Sequence, residues 1–595
     1  MPHYNPPIRD IKFVLHELLG VGEQYALMEK YKDFSEETFG LIVEEAAKFA
    51  QEVVQPLNQV GDAKGCARSS TGEVTTPDGF RQAYQLYVQG GWPSLACDSA
   101  YGGQDLPKLA NSVLYEMLNA ANQAWTMYPG LSHGAYECIH AHGTEEQKNI
   151  YLPKLVSGHW TGTMCLTESH CGTDLGLLKT RAEDVGGGQF SLYGTKIFIS
   201  SGEHDLAENI VHLVLARLPG APKGTKGISL FIVPKFTLDQ AGKLGERNKL
   251  SCGSLEHKMG IHANATCVMN FDGASGTLLG EPNKGLQAMF VMMNAARLGV
   301  GMQSLGLTDV AYQNSAKYAK ERHQMRSLKG SQKSDSPADP IIVHPDVRRM
   351  LLTQRAYAEG GRAFSYYVAL LIDTEQCHPD EDTRGDAAEL VTLLTPIIKA
   401  FLTDNAFMSC NEGLQVFGGH GYITEWGMEQ FVRDSRINMI YEGTNTVQAL
   451  DLLGRKVLRD MGKSLKKFGR QIQEFIEEEG VRKEMSEFID PLADLASKVE
   501  KLTQEIGMKA MMNADEVGAA ATPYLRILGH LIYAYLFAKM GKIALKELKS
   551  GDDFYKAKLA TARFYFARLL PETSTLIKLA RAGSSNLMAL DAELF

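Results

Sequence analysis

One carboxylate in this sequence stands where acid–base chemistry would need it. Arg433 to Gln448 reads RDSRINMIYEGTNTVQ, and Glu442 is its only glutamate. Ile437, Met439, Ile440 and Tyr441 precede it as an apolar run, and Gly443, Thr444 and Asn445 follow as turn-favouring residues. The pattern predicts a buried segment that ends at Glu442, whose side chain then points from a loop into an apolar pocket. Desolvation there lifts a carboxyl above its usual ~4.3 and suits a general base near neutral pH. A solvated turn glutamate is the competing reading for a lone residue. Upstream, Gln415 to Tyr422 is QVFGGHGY, and its three glycines in four residues let a backbone approach a ligand or another chain. It is not the GxGxxG dinucleotide fingerprint, and no βαβ pattern surrounds it.

Taken together, these stretches resemble the acyl-CoA dehydrogenase family, whose pattern runs Q-x-x-G-G-x-G-Y, then a helix with R-D, then I-Y-E-G-T. The resemblance implies that Glu442 is the catalytic base and that Gln415, Gly418 and Gly419 meet the flavin adenine dinucleotide (FAD) of a neighbouring subunit. It also places Thr444 and Asn445 at the cofactor, and Tyr441 and Gly443 beside the substrate.

Four further motifs carry the same resemblance. Met164-Cys-Leu-Thr-Glu168 with Ser169-His-Cys-Gly-Thr-Asp174 matches a strand ending in T-E and a P-G-x-G-S-D loop. Hydroxyls and backbone N–H groups at a strand end can hold a flavin edge and a diphosphate. By resemblance Met164, Cys165, Leu166, Thr167, Gly172 and Thr173 line the flavin, and Thr173 also faces the pantetheine arm. Ser169, His170 and Cys171 replace the common Pro-Gly-Ala, and Met164 replaces an aromatic. Lys196 to Gly202, KIFISSG, matches K-x-W-I-T-N/S-G, with Phe198 covering the flavin ring and Ser200 bonding N5. Glu321 to Met325, ERHQM, matches E-R-x-x-F-G, so Arg322 pairs with the diphosphate and Gln324 touches the flavin, while Met325-Arg326 departs from Phe-Gly. Asn294-Ala-Ala-Arg297 follows the family's L-D-x-x-R over the CoA arm, with Arg297 kept and Asn294 in place of the acid. Implied is α,β-dehydrogenation of an acyl thioester. Glu442 takes the Cα proton, hydride passes to flavin N5, and the Glu442 backbone N–H and a ribityl hydroxyl polarise the carbonyl.

The chain has 595 residues, enough for about three or four domains, and 44% hydrophobic content for their cores. A net charge of −9 argues against nucleic-acid binding. The N-terminus shows no secretory pattern, and the apolar run Leu531 to Ala538 is too short to span a bilayer, so no integral membrane segment is expected. Nine scattered cysteines without CxxC spacing read as buried hydrophobes of a reducing cytoplasm, not as disulfides or a metal site.

Periodicity predicts the elements that must position these motifs. An amphipathic helix over Asp10 to Leu19 lies in an N-terminal extension, 1–34. A helical domain follows over 35–160, opening at Ser35-Glu-Glu-Thr38. A compact antiparallel β domain spans 161–280, with strands at Thr161–Leu166, Gln189–Ser200, Ile210–Ala216, Ile228–Val233 and Thr266–Phe271 and a hairpin at Gly186 to Gly188. A helical bundle occupies 281–457, interrupted by the breaker-rich loop Leu328 to Pro340. Beyond it, 458–595 is an appended helical domain that the usual family member lacks. The fold class expected is therefore α+β multidomain, acyl-CoA dehydrogenase-like. Expected partners are an acyl-CoA, fatty or 3-(methylthio)propanoyl, an electron-transferring flavoprotein, and a second copy in a homodimer or larger assembly. An acyl-CoA oxidase using dioxygen is the alternative, and a non-enzymatic assembly partner a more distant one. Glu442, not aspartate, argues against a nitroalkane oxidase.

Overall fold

The computed structural model describes residues 2–239 and 242–595. The chain forms two compact units, Glu45–Gly299 and Met1–Glu44 with Val300–Phe595, and the division falls inside one long helix.

In the first unit, helix α1 (Lys108–His142) packs on a seven-stranded sheet. Its backbone leaves helical geometry at Asn122, whose side chain accepts from the Trp125 amide at 3.0 Å and restarts the helix. Helix α2 (Glu145–Val156) opens on a Thr144/Gln147 capping box. The strands are β1 (Trp160–Cys165), β2 (Arg181–Gly186), β3 (Gln189–Ser200), β4 (Asn209–Ala216), β5 (Ser229–Pro234), β6 (Leu250–Leu255) and β7 (Thr266–Leu279). Their order is β1-β4-β5-β7-β3-β2, with β6 on β7 as well. The expected all-antiparallel sheet is corrected at one pair, since β1 and β4 run parallel from Trp160↔Asn209 to Cys165↔Val214. The chain inserts the β2–β3 hairpin between them, and that crossover returns it in the original direction. Two strands escaped the sequence pattern. β2 lies mostly exposed, with only Ala182 fully buried, and β6 is interrupted by Gly253, so neither shows apolar alternation.

In the second unit, α3 (Gly285–Glu321), α4 (Pro345–Cys377) and α5 (Glu381–Phe417) are the long helices, joined by α6 (Met428–Asn438) and α7 (Asn445–Leu450). The most apolar window of Glu381–Tyr422 has the length and composition of a membrane span, yet 78% of it is buried in the protein, as for a core helix. The appended segment contributes α8 (Asp515–Glu547), which packs on α4 and α5. Gly360 and Gly529 permit that approach: a Cβ at Gly529 would lie 2.3 Å from Phe401, and one at Gly360 2.4 Å from Tyr533. The N-terminal segment docks here too. Of the expected apolar face, Ile11, Val14, Leu15 and Leu18 are buried and Leu19 is half-buried, but Asp10 is buried too, between Arg362 and Lys558. Lys558 continues to Glu359 at 3.0 Å. The loop from 328 to 340 is mostly exposed, but buried Asp339 organises it, taking hydrogen bonds from the amides of Ser327, Gln332 and Lys333 and from Arg326.

Candidate active site

The predicted site residues divide between the two units. In the second unit, Glu442 sits in a turn between α6 and α7 with φ +57°, a left-handed conformation that a non-glycine residue adopts at a cost, and Gly443 follows at +84°. Other parts of the unit hold this turn. The buried Lys399 ammonium on α5 donates to the Gly443 carbonyl at 2.8 Å and to Asn445 Oδ1 at 2.9 Å. Buried Gln448 donates to the Glu442 and Gly443 carbonyls at 3.2 and 3.4 Å. Tyr441 OH donates to Gln303 on α3 and to Asn438.

Two expectations need correction here. The apolar run before Glu442 is not buried throughout: Ile440 is 47% exposed, and Ile437, Met439, Tyr441 and Glu442 are half-buried. The run continues the helical period of α6, so Asn438 turns inward while Ile440 turns out. Asn445, expected at the cofactor, has its amide committed within the protein. Its nitrogen donates to Asp404 at 2.6 Å, Thr403 at 2.9 Å and the Ala400 carbonyl at 3.3 Å, while its oxygen accepts from Lys399 and Thr403. Thr444 uses its hydroxyl to cap α7 at the Val447 amide. Lys399, Asp404, Gln303 and Gln448 were missed by the sequence reading. A lysine and an aspartate within the apolar run of α5, LTPIIKAFLTDNAF, were the available signal.

Farther along α3 lies a second group. Tyr318 stacks on Phe417 at 4.1 Å and bonds His420 Nδ1 at 2.9 Å, which brings the end of α3 beside the glycine loop. Arg322 and Gln324 follow directly, exposed, as are Gln415, Gly418 and Gly419. The side chains of Arg322, Gln324 and Gln415 have no protein hydrogen bond or ion pair among the described residues. At 1.5 Å per residue, Tyr318 stands about 22 Å along the helix from Gln303, so the two groups lie at the C-terminal end and the middle of α3.

In the first unit, the ends of β1 and β3 meet: the Thr167 carbonyl accepts from the Ile197 amide at 2.9 Å. Gly172 packs on Thr167, where a Cβ would lie 3.3 Å from its methyl. Phe198 is 59% exposed at φ +58°, and Ser200 lies opposite Thr266 in the sheet. The hydroxyls of Thr167, Thr173 and Ser200 have no protein partner among the described residues. Met164 and Leu166 are half-buried, whereas Cys165 points into the core, its thiol pushed up to about 12 by burial, which leaves only its backbone for a ligand. Strand alternation separates it from its neighbours. Asn294 is exposed and accepts from Arg297 Nη1 at 3.1 Å.

Glu168 lies three residues past the end of β1, 5% exposed. It accepts from Lys196 Nζ at 2.8 Å, from the Thr180 hydroxyl and amide at 2.6 and 3.0 Å, and from the Lys179 amide at 2.8 Å. Burial raises its pKa, but the Lys196 charge and these donors outweigh it and hold the carboxyl at about 2. His170 and Cys171 lie close enough to Glu168 to form a metal-ligand triple, yet both its oxygens are already taken by these donors.

The groups present fit the chemistry of FAD taken unit by unit: the first unit offers unspent hydroxyls and an exposed aromatic, and in the second Arg322 has no carboxylate partner among the described residues. Comparison with known proteins gives the class. The chain belongs to the acyl-CoA dehydrogenase family. It matches the family models described as acyl-CoA dehydrogenase N-terminal domain over 36–159, middle domain over 163–274 and C-terminal domain over 283–458, and acetyl-CoA dehydrogenase C-terminal like over 468–591. It is an FAD-dependent oxidoreductase of that family. Among its relatives is the 3-methylmercaptopropionyl-CoA dehydrogenase of Ruegeria pomeroyi, 39% identical across 96% of this chain and 97% of that one. The broad-specificity linear acyl-CoA dehydrogenase FadE5 of Mycobacterium tuberculosis is 34% identical over the full length of both. The fold matches the acyl-CoA dehydrogenase of Bacillus anthracis solved with FAD, with a TM-score of 0.75 at 23% identity over 93% of this chain and 90% of that one.

Proposed function

We propose that the protein converts an acyl-CoA to its 2-enoyl-CoA, with Glu442 taking the Cα proton. The observation that carries this reading is the turn itself: a left-handed glutamate held by buried Lys399 and Gln448 through its backbone. FAD, when bound, supplies the two-electron acceptor for the Cβ hydride. Thr167, Ser200 and Phe198 meet the flavin ring in this reading, while Arg322 pairs with the diphosphate and Gln324 touches the flavin of a second copy's cofactor. The Glu442 N–H donates to the thioester carbonyl where enolate charge develops. Arg297 and Asn294 meet the CoA arm.

The separation along α3 supports a homodimer, since the Arg322–Gly419 group is remote from Glu442 within the same unit and suits a second copy's cofactor. The nine cysteines, free throughout, fit a cytoplasmic protein. Electrons pass to an electron-transferring flavoprotein in this scheme.

Anaerobic titration of the flavin absorbance with a panel of acyl-CoAs, including straight-chain and 3-(methylthio)propanoyl thioesters, tests the reaction and selects the substrate. Bleaching by none of them overturns the proposal, and rapid peroxide formation in air replaces the flavoprotein acceptor with dioxygen. Arg322→Ala is expected to lower the flavin retained after gel filtration, and unchanged flavin content would remove Arg322 from the cofactor.

A further inference from the structure

Besides packing on α7, the appended α8 extends a guanidinium toward the residues that anchor the Glu442 turn. Arg526 on α8 is clamped by Glu572, Nε to Oε1 at 2.5 Å and Nη2 to Oε2 at 2.9 Å. Its remaining arm donates to Asn405 Oδ1 on α5 at 2.9 Å, and its plane lies 5.5 Å from the Phe401 ring centre. Buried His530 backs the clamp at 3.2 Å from Glu572. Next to Asn405, Asp404 accepts the Asn445 amide at 2.6 Å. Three cations from three helices face that carboxylate: Arg526 on α8, Lys399 on α5 and Arg436 on α6.

We propose that Arg526 is a positioning residue for Glu442, acting through Asn405 and Asp404 on the Asn445 anchor of the turn. The inference rests on Glu442 being the base. Burial raises the pKa of Asp404, and the Asn445 hydrogen bond and the three cations only partly offset it. Loss of the Arg526 charge lets Asp404 take up a proton at higher pH. The Asn445 amide then loses its charged acceptor, and the left-handed turn loses a restraint that opposes its strain.

The test is Arg526→Gln in the full-length FAD-bound enzyme, followed by anaerobic stopped-flow bleaching with the acyl-CoA that titrates best. The limiting rate is expected to fall roughly tenfold to a hundredfold, as for a misplaced catalytic group. The half-saturating acyl-CoA concentration stays within about twofold, because ground-state binding is untouched. The acid limb of the rate profile moves to higher pH, and Arg526→Lys recovers part of the rate. Asp404→Asn shows the same fall in rate, and adding Arg526→Gln to it lowers the rate little further. A wild-type rate and pH profile in Arg526→Gln overturns the inference, as do independent, multiplying losses in the double variant. If Arg526→Gln does not fold, Asp404→Asn alone decides: a wild-type rate overturns it. Glu442→Gln run alongside separates the two claims. Normal bleaching there overturns the base assignment, whereas an inert Glu442→Gln beside a normal Arg526→Gln overturns only the role of Arg526.

Discussion

Glu168 and Glu442 both close a motif of the family pattern, yet the protein holds them by different means. At Glu168 the hydrogen bonds run to the carboxylate: a buried lysine, a hydroxyl and two amides saturate it and hold it near a pKa of about 2. Around Glu442 the main chain is held: Lys399 and Gln448 grip the carbonyls of the turn, and the residue sits half-buried in a left-handed conformation. A carboxylate that takes four hydrogen bonds, one of them from a buried ammonium, is an anchor, and its proton affinity is far too low for a base at neutral pH. A carboxylate whose main chain is immobilised can stand at a fixed point and still accept a proton.

The sharpest break between the two is chemical. Glu442→Gln is expected to retain flavin and fold normally while the bleaching rate drops roughly 10²–10⁴-fold, the range for loss of a general base. Stopped-flow bleaching and the bound-flavin spectrum measure both properties on one sample. Glu168→Gln should do the reverse. It leaves the Lys196 ammonium buried without its counter-charge, a loss of about 3–5 kcal/mol read from denaturant unfolding. The pH dependence carries the same contrast. The Glu168 carboxyl is depressed from its usual ~4.3, so its contribution is complete above that value and is lost as pH falls toward about 2. Equilibrium unfolding at stepped pH should therefore show a steeper acid decline in the wild type than in Glu168→Gln across that window. Equal slopes would mean that Glu168 is not the anchor described.

The division between legible and illegible features follows from what a local pattern can encode. The I-Y-E-G-T turn appears where short-range chemistry demands it, because turn-favouring residues act within a few positions. The Ser35 cap is equally local, its hydroxyl 3.1 Å from the Thr38 amide. The parallel β1–β4 pair was hidden because it depends on where a later strand docks. The commitment of Asn445 was hidden for a similar reason: its partners Ala400, Thr403 and Asp404 stand some forty residues earlier. Asp10 shows the same limit at larger scale. Its helix was legible from the spacing of Ile11, Val14, Leu15 and Leu18, but its burial depends on Arg362 and Lys558, which only the folded chain brings to it. Strain at Phe198, Ser201, Met325 and Glu442 is likewise invisible in residue type, yet these four of the eight left-handed non-glycine positions among the described residues fall inside the family motifs and mark them independently of resemblance.

The smallest effect tests whether the backbone grip at Glu442 matters at all. Gln448 is fully buried, and its amide reaches the Glu442 and Gly443 carbonyls at 3.2 and 3.4 Å, the long end of hydrogen-bond geometry. Gln448→Met keeps the volume and removes both bonds, so stability should fall by only about 1 kcal/mol. Lys399 still holds the Gly443 carbonyl, which keeps the turn in place most of the time. The bleaching rate is therefore expected to drop less than in Arg526→Gln, by about threefold to tenfold, because only part of the population leaves the productive geometry. Thermal unfolding and stopped-flow bleaching on the same preparation separate the two effects. A rate loss at unchanged stability would show that the grip on the main chain serves the position of the base, whereas a stability loss at unchanged rate would make Gln448 an anchor of the same kind as Glu168.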